Sequence, residues 1–162
     1  MWERLRRFSV LDSEARGIFL RAAVLLPAIS LSLRIRGFRA TQQSLQNFSF
    51  SSKAEKQFHE SLKDDQRVGV AVRMVAVRMV NAAARHNWRG ATCLEKSLAL
   101  WWLLRREGVT SSVRIGARTV GGKLEAHAWV ECEGAALNEP REEHRHYATF
   151  DAAFPLQRPE IS

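Results

Sequence analysis

The sequence predicts an α+β domain in which helices come first and an antiparallel sheet follows. Three observations predict it. Apolar residues recur at helical spacing as far as Leu104, strict alternation replaces that period after Gly108, and two short glycine turns separate the alternating runs. At 162 residues the chain is about one domain long. Its 46% hydrophobic content is enough for a core and excludes wholesale disorder.

The first helical stripe is Leu11, Ala15, Ile18, Phe19, Ala22, Leu25, Leu26, Ile29 and Leu33. Asp12 or Ser13 caps its start. Pro27 is expected to kink or divide it, because the ring removes a backbone donor. Gly37 fits its end, and Arg34, Arg36 and Arg39 suit the negative end of the helix dipole. Residues 1–40 thus form an N-terminal helical region, packed on its own domain or docking a partner. Residues 41–66 are polar and read as a connector, with Phe48, Phe50 and Phe58 as anchors. Residues 67–162 form the main domain.

That domain opens with a helix over Arg67–His86, striped by Val68, Val72, Val75, Met79, Ala82 and Ala83. It contains a direct repeat, Ala71-Val72-Arg73-Met74-Val75 and Ala76-Val77-Arg78-Met79-Val80, whose period of five matches neither helix nor strand. Core packing accounts for its methionines better than a cofactor box. The next helix has a defined start. Thr92, followed three residues later by Glu95, is a capping box, so Cys93 is the first helical residue. Arg105, Arg106 and Gly108 mark its end, and Leu98 to Leu104 is apolar almost all round, as in an enclosed helix. Beyond it, Ser112–Thr119 and Ala126–Cys132 alternate as strands, joined by a turn at Val120–Lys123. Glu133-Gly134 turns the chain into a third strand, Ala135–Asn138.

Charge and cysteine usage narrow the function classes. The net charge is +8, divided into +12 over residues 1–120 and −4 over residues 121–162. The basic residues are scattered singly, without the interleaved aromatics of a nucleic-acid surface, so nucleic-acid binding is disfavoured. The longest charge-free apolar run, Ala22–Leu33, contains Pro27 and falls short of the ~20 residues that span a bilayer. It lies behind Asp12 and Glu14, unlike a signal peptide, which points to a cytoplasmic protein without stable membrane insertion. Two cysteines and no CxxC motif suggest free thiols. Cys93, Cys132, His127, His144 and His146 lack compact metal-ligand spacing, so no metal is expected.

Cys93 is the most informative single residue. A thiol in the first turn of a helix faces unsatisfied N–H groups and the positive end of the dipole, which favour the nucleophilic thiolate. The same N–H groups suit the oxyanion of a tetrahedral intermediate. The bland alternative is a small apolar core residue. Among the histidines, His59 lies in the connector, His86 ends a helix, and His144 and His146 sit in an acidic loop. His127 stands on a strand beside Trp129. Alternation puts His127, Trp129 and Glu131 on one face, with Ala128, Val130 and Cys132 on the other. If the first face looks toward the helix start, His127 meets Cys93 and Cys132 is structural. A base needs an orienting partner. With a two-residue turn, parity puts Asn138 opposite Trp129 and on the face of His127, a Cys-His-Asn order of papain type. Glu139 falls on the other face unless a bulge intervenes, and Asp151 is more remote.

The run Ala91-Thr92-Cys93-Leu94-Glu95-Lys96-Ser97-Leu98-Ala99-Leu100, the helix end Leu103-Leu104-Arg105-Arg106-Glu107-Gly108, the Ile115-Gly116 strand and Ala126-His127-Ala128-Trp129-Val130-Glu131 follow one another in an order that resembles the lasso peptide biosynthesis B2 proteins. The segments Arg6-Arg7-Phe8 to Leu20 and Arg36-Gly37-Phe38-Arg39 extend the resemblance. It implies a papain- and transglutaminase-like cysteine protease core that removes the leader from a lasso peptide precursor. It implies Cys93 as nucleophile and His127 as general base. The family's third member is usually an Asp just after an Asn-like position. Here Glu139 follows Asn138, so either Glu139 replaces that acid or Asn138 takes its role. A separate leader-recognition (B1) protein would deliver the precursor, and a separate ATP-dependent cyclase would close the ring. The chain itself has no Gly-rich phosphate loop and is expected to need no cofactor. The rival functions are acyl transfer to an amine, on the same core, and a non-catalytic peptide-binding module.

Overall fold

A computed structural model describes residues 13–48, 66–86, 90–139 and 143–149. Its elements are α1 (Ser13–Phe48), α2 (Gln66–His86), α3 (Cys93–Arg106), β1 (Ser112–Val120), β2 (Lys123–Cys132) and β3 (Ala135–Ala136). A short 3-10 turn (Glu143–His146) then leads into β4 (Ala148–Thr149).

The three helices pack on one another, and α3 packs on the sheet. Ile18, Ala22, Leu26 and Ile29 of α1, Ala76, Met79, Val80 and Ala83 of α2, and Leu98, Leu100, Leu103 and Leu104 of α3 share one buried cluster with Val113 and Val130 of the sheet. A repeat period of five turns a helix by about 140°, so the two repeated methionines diverge. Met79 is buried and Met74 exposed.

α1 departs from expectation in two ways. Pro27 does not divide it: the only non-helical backbone inside the element is at Gly37. Pro27 and Ala23, whose carbonyl loses its intrahelical donor, both lie on the exposed side, where solvent can satisfy that oxygen. Gly37, expected as the helix end, is instead a corner (φ 76°, ψ 179°) from which a second helical arm starts. The Thr41 hydroxyl donates to the Gly37 carbonyl at 2.8 Å and lies 2.8 Å from Ser32 Oγ. A straight helix would separate those two residues by about 13 Å, so the arms fold toward each other. The second arm runs past residue 40, and its Thr41, Gln42 and Leu45 are buried. Phe50, Phe58, His59 and Asp151 lie outside the described residues, as does the side chain of Phe48.

The sheet is antiparallel, ordered β3-β2-β1-β4. β1 and β2 pair over their full lengths, from Ser112 opposite Glu131 to Val120 opposite Lys123. Both hairpins turn through two residues of positive φ, Gly121-Gly122 and Glu133-Gly134, the backbone that matches strand twist. The second turn is fastened to α2. Arg73 donates from both terminal nitrogens to Glu133 at 2.9 Å. This hydrogen-bonded pairing holds the Glu133 carboxyl below its ordinary range and the Arg73 guanidinium above its own. β3 is shorter than expected, and β4, pairing Gly116 with Thr149, was not expected at all.

Candidate active site

Sequence dictates where α3 begins. Thr92 is extended (φ −67°, ψ 163°), its hydroxyl accepts from the Glu95 N–H at 3.2 Å, and the Glu95 carboxylate accepts from the Thr92 N–H at 2.8 Å. The capping box fixes Cys93 as the first residue of the helix, partly exposed and not in a disulfide.

One turn further along the same helix face, about 6 Å from Cys93, the buried Ser97 fastens α3 to the sheet. Its hydroxyl donates to the Ala128 carbonyl at 2.9 Å and accepts from Asn138 Nδ2 at 3.1 Å. Asn138 Oδ1 in turn accepts from the Val130 N–H at 2.7 Å. The carbonyl of Val130 takes the Leu137 N–H at 2.9 Å, so these groups point to the β3 edge of β2. Because β3 ends early, that edge is open at Ala128, and α3 fills it. Ser97 therefore ties α3 to the edge of β2 at Ala128, the residue after His127.

His127 is held from the other side. Its Nε2 lies 2.8 Å from Glu139 Oε1, and both side chains are largely buried. The two atoms are in contact without the alignment of a hydrogen bond. With Glu139 at Nε2, Nδ1 is the nitrogen left to exchange a proton with a thiol or a substrate.

The strand faces correct the expected route between Cys93 and His127. Ala128, Val130 and Cys132 alternate to the side where Val130 joins the helical core. His127 and Trp129 point to the opposite side, under the segment that leads into β4. The His127 ring lies 5.3 Å from Tyr147 and 6.3 Å from Trp129, and Trp129 lies 6.0 Å from His144. His144 is thus packed rather than solvated. α3 does not lie over the His127 face; Ser97 joins it to the edge of β2 at Ala128. Parity had favoured Asn138 as the partner of His127. The structure gives Asn138 to Ser97 and Val130, and Glu139 to His127. The Asn138 carboxamide takes the Val130 N–H that a continuing ladder would give to the Leu137 carbonyl, so regular pairing stops and the alternation argument stops with it.

Cys132 has a different environment. Burial pushes its thiol above the ordinary range, despite the nearby Arg73 guanidinium, and it donates to the Thr110 carbonyl at 3.2 Å. Such a protonated thiol is a poor nucleophile. Among the described residues no three His, Cys, Asp or Glu side chains gather as a metal site.

A family model described as the transglutaminase-like superfamily matches residues 25–150. The chain belongs to the transglutaminase-like superfamily. The match covers α3, both long strands and the stretch that carries Cys93, His127 and Glu139. No match was found among curated proteins or among solved structures. Members of this superfamily are generally cysteine peptidases or acyl transferases, and helix α3 against an antiparallel sheet is the corresponding arrangement here. Ser97, Tyr147 and His144 were not singled out in the sequence as parts of the site. The one signal for Ser97 is its i+4 spacing from Cys93, which puts both on one helix face.

Proposed function

We infer that the protein is a cysteine peptidase that removes the leader from a lasso peptide precursor, assisted by a separate leader-recognition protein. The observation that carries this reading is the 2.8 Å contact of Glu139 with His127 Nε2, on the strand whose Ala128 carbonyl accepts from Ser97, one helical turn from Cys93. The order of segments that resembles the B2 proteins supports the substrate class.

In this reading Cys93 Sγ attacks the carbonyl carbon at the leader–core junction. The thiol proton passes to His127 Nδ1. A C–S bond forms, and the oxyanion meets the free N–H groups of the α3 start. The C–N bond then breaks, and His127 gives its proton to the departing core amine, leaving the leader as a thioester on Cys93. His127 next takes a proton from water, whose oxygen attacks the thioester. The products are a leader carboxylate and the restored thiol. Glu139 orients the ring and stabilises the imidazolium while it exists.

The test mixes wild type and Cys93→Ala separately with precursor and recognition protein and follows leader release by mass spectrometry. Wild type and Cys132→Ala are expected to cut and Cys93→Ala is not. Cleavage by the alanine variant overturns the assignment. A leader joined to an added amine, in place of a free carboxylate, moves it to acyl transfer.

A further inference from the structure

We propose that the outer face of α1 docks the protein on an anionic lipid surface. The inner face of this helix, carrying Ala15, Ile18, Ala22, Leu26 and Ile29, is buried in the core. The opposite face is also apolar. Leu20, Val24, Leu31 and Ile35 are 55%, 72%, 59% and 73% exposed. At 100° per residue these four fall within about 60° of one another, a ridge about 22 Å long. Pro27 and Ala28 lie between them and are exposed as well.

The charge that α1 itself carries past its first turn is all basic, and one of its arginines, Arg21, pairs with Glu107 at 3.1 Å. Between Glu14 and Glu55 the sequence has no acidic residue, but it has Arg16, Arg21, Arg34, Arg36, Arg39 and Lys53. Arg34, Arg36 and Arg39 are exposed. A purely aliphatic ridge bordered by arginines is the pattern of a helix lying in the plane of a bilayer interface, with the arginine stems along the apolar boundary and their heads among anionic headgroups.

Other occupants fit less well. Two copies meeting through this face would set Arg34 and Arg36 of one near those of the other, and α1 supplies no acid past Glu14 to separate them. A protein partner ordinarily engages aromatic or hydrogen-bonding anchors, and the ridge has neither. The helix is long and apolar enough to cross a bilayer, but its inner face is committed to the core, which favours lying on the surface over spanning. Through Ala28 the ridge adjoins an apolar cavity of about 340 Å³, walled by Leu25, Ile29, Leu45 and Trp102. The cavity gives an acyl chain room to enter.

The test is co-sedimentation of the full chain with vesicles of phosphatidylcholine alone or with added phosphatidylglycerol. Binding is expected only with the anionic lipid and is expected to weaken as salt rises. Each removed arginine charge should weaken partitioning about fivefold, so Arg34→Gln with Arg39→Gln gives a loss of about 25-fold. Leu31→Ser with Ile35→Ser, checked for native circular dichroism, should abolish binding. Equal partitioning to neutral vesicles, no partitioning at all, or binding indifferent to the serine pair overturns the proposal. So does a concentration-dependent dimer that the serine pair dissolves, which assigns the ridge to a second copy. None of these readouts depends on the chemistry at Cys93.

Discussion

Replacing Asn138 by alanine separates architecture from chemistry at the site. The carboxamide holds two partners at once, the Val130 N–H at 2.7 Å and the Ser97 hydroxyl at 3.1 Å. Val130 is fully buried, so its N–H, once deprived of Oδ1, has no water to turn to. An unsatisfied buried donor costs about 1–3 kcal/mol, and the lost bond to Ser97 adds about 1 kcal/mol. The expected loss of stability is therefore roughly 2–4 kcal/mol, which for a chain of this size lowers Tm by roughly 5–15 °C. Urea unfolding followed by circular dichroism measures the first and a thermal scan the second. Well below its midpoint, folded Asn138→Ala should still cleave within about tenfold of wild type, because the carboxamide does not touch His127. Glu139→Gln should behave in the opposite way. Its stability stays within about 1 kcal/mol of wild type, and turnover falls roughly 10²–10⁴-fold, as when the orienting acid of a triad is neutralised. A stable but inactive Asn138→Ala, or an active Glu139→Gln, would refute the division of roles drawn from these contacts.

Three further outcomes follow from the packing. Gly116→Ala places a Cβ 2.8 Å from Tyr147 Cβ and 3.1 Å from both the Ala148 carbonyl and Trp129 Cη2. Two of these neighbours belong to the segment over His127, so about 1–3 kcal/mol is lost and the β4 amides exchange faster in deuterium; unaltered exchange would contradict it. Thr92→Ala removes the acceptor for the Glu95 N–H and should cost about 1 kcal/mol in urea; no change in midpoint would mean that the capping box contributes nothing. Glu133, lowered by its hydrogen bonds from Arg73, stabilises the fold above the ordinary glutamate value of about 4.3. That contribution is lost as pH falls through its lower folded value. The urea midpoints of wild type and Glu133→Gln should therefore differ at neutral pH and converge in acid, and a pH-independent gap would count against the pairing.

Much of the architecture was legible because local chemistry sets it. Thr92 and Glu95 fix the α3 start without help from the rest of the chain. Gly121-Gly122 and Glu133-Gly134 fix the hairpins and hence the β1–β2 register. What the sequence did not reveal depends on contacts between elements. Gly37 is compatible with a helix end or a corner, and burial of Thr41, Gln42 and Leu45 decides for the corner. Pro27 is tolerated because of the side of α1 on which it falls. His127 and Trp129 were correctly paired on one face, but which face meets the helices depends on Val113 and Val130 joining the core. The contact of Glu139 with His127 turned on a side chain, that of Asn138, taking over a backbone bond, which no alternation pattern registers.

The central claim is that Cys93 carries the acyl group while His127 moves the proton. The most direct measurement is the intact mass of the wild-type chain during turnover of precursor with recognition protein, followed by acid quench and peptide mapping. The account predicts a population heavier by the mass of the leader, with the added mass on the peptide containing Cys93. Precursor turnover with no such adduct, or an adduct mapped to Cys132 or any other residue, would contradict it.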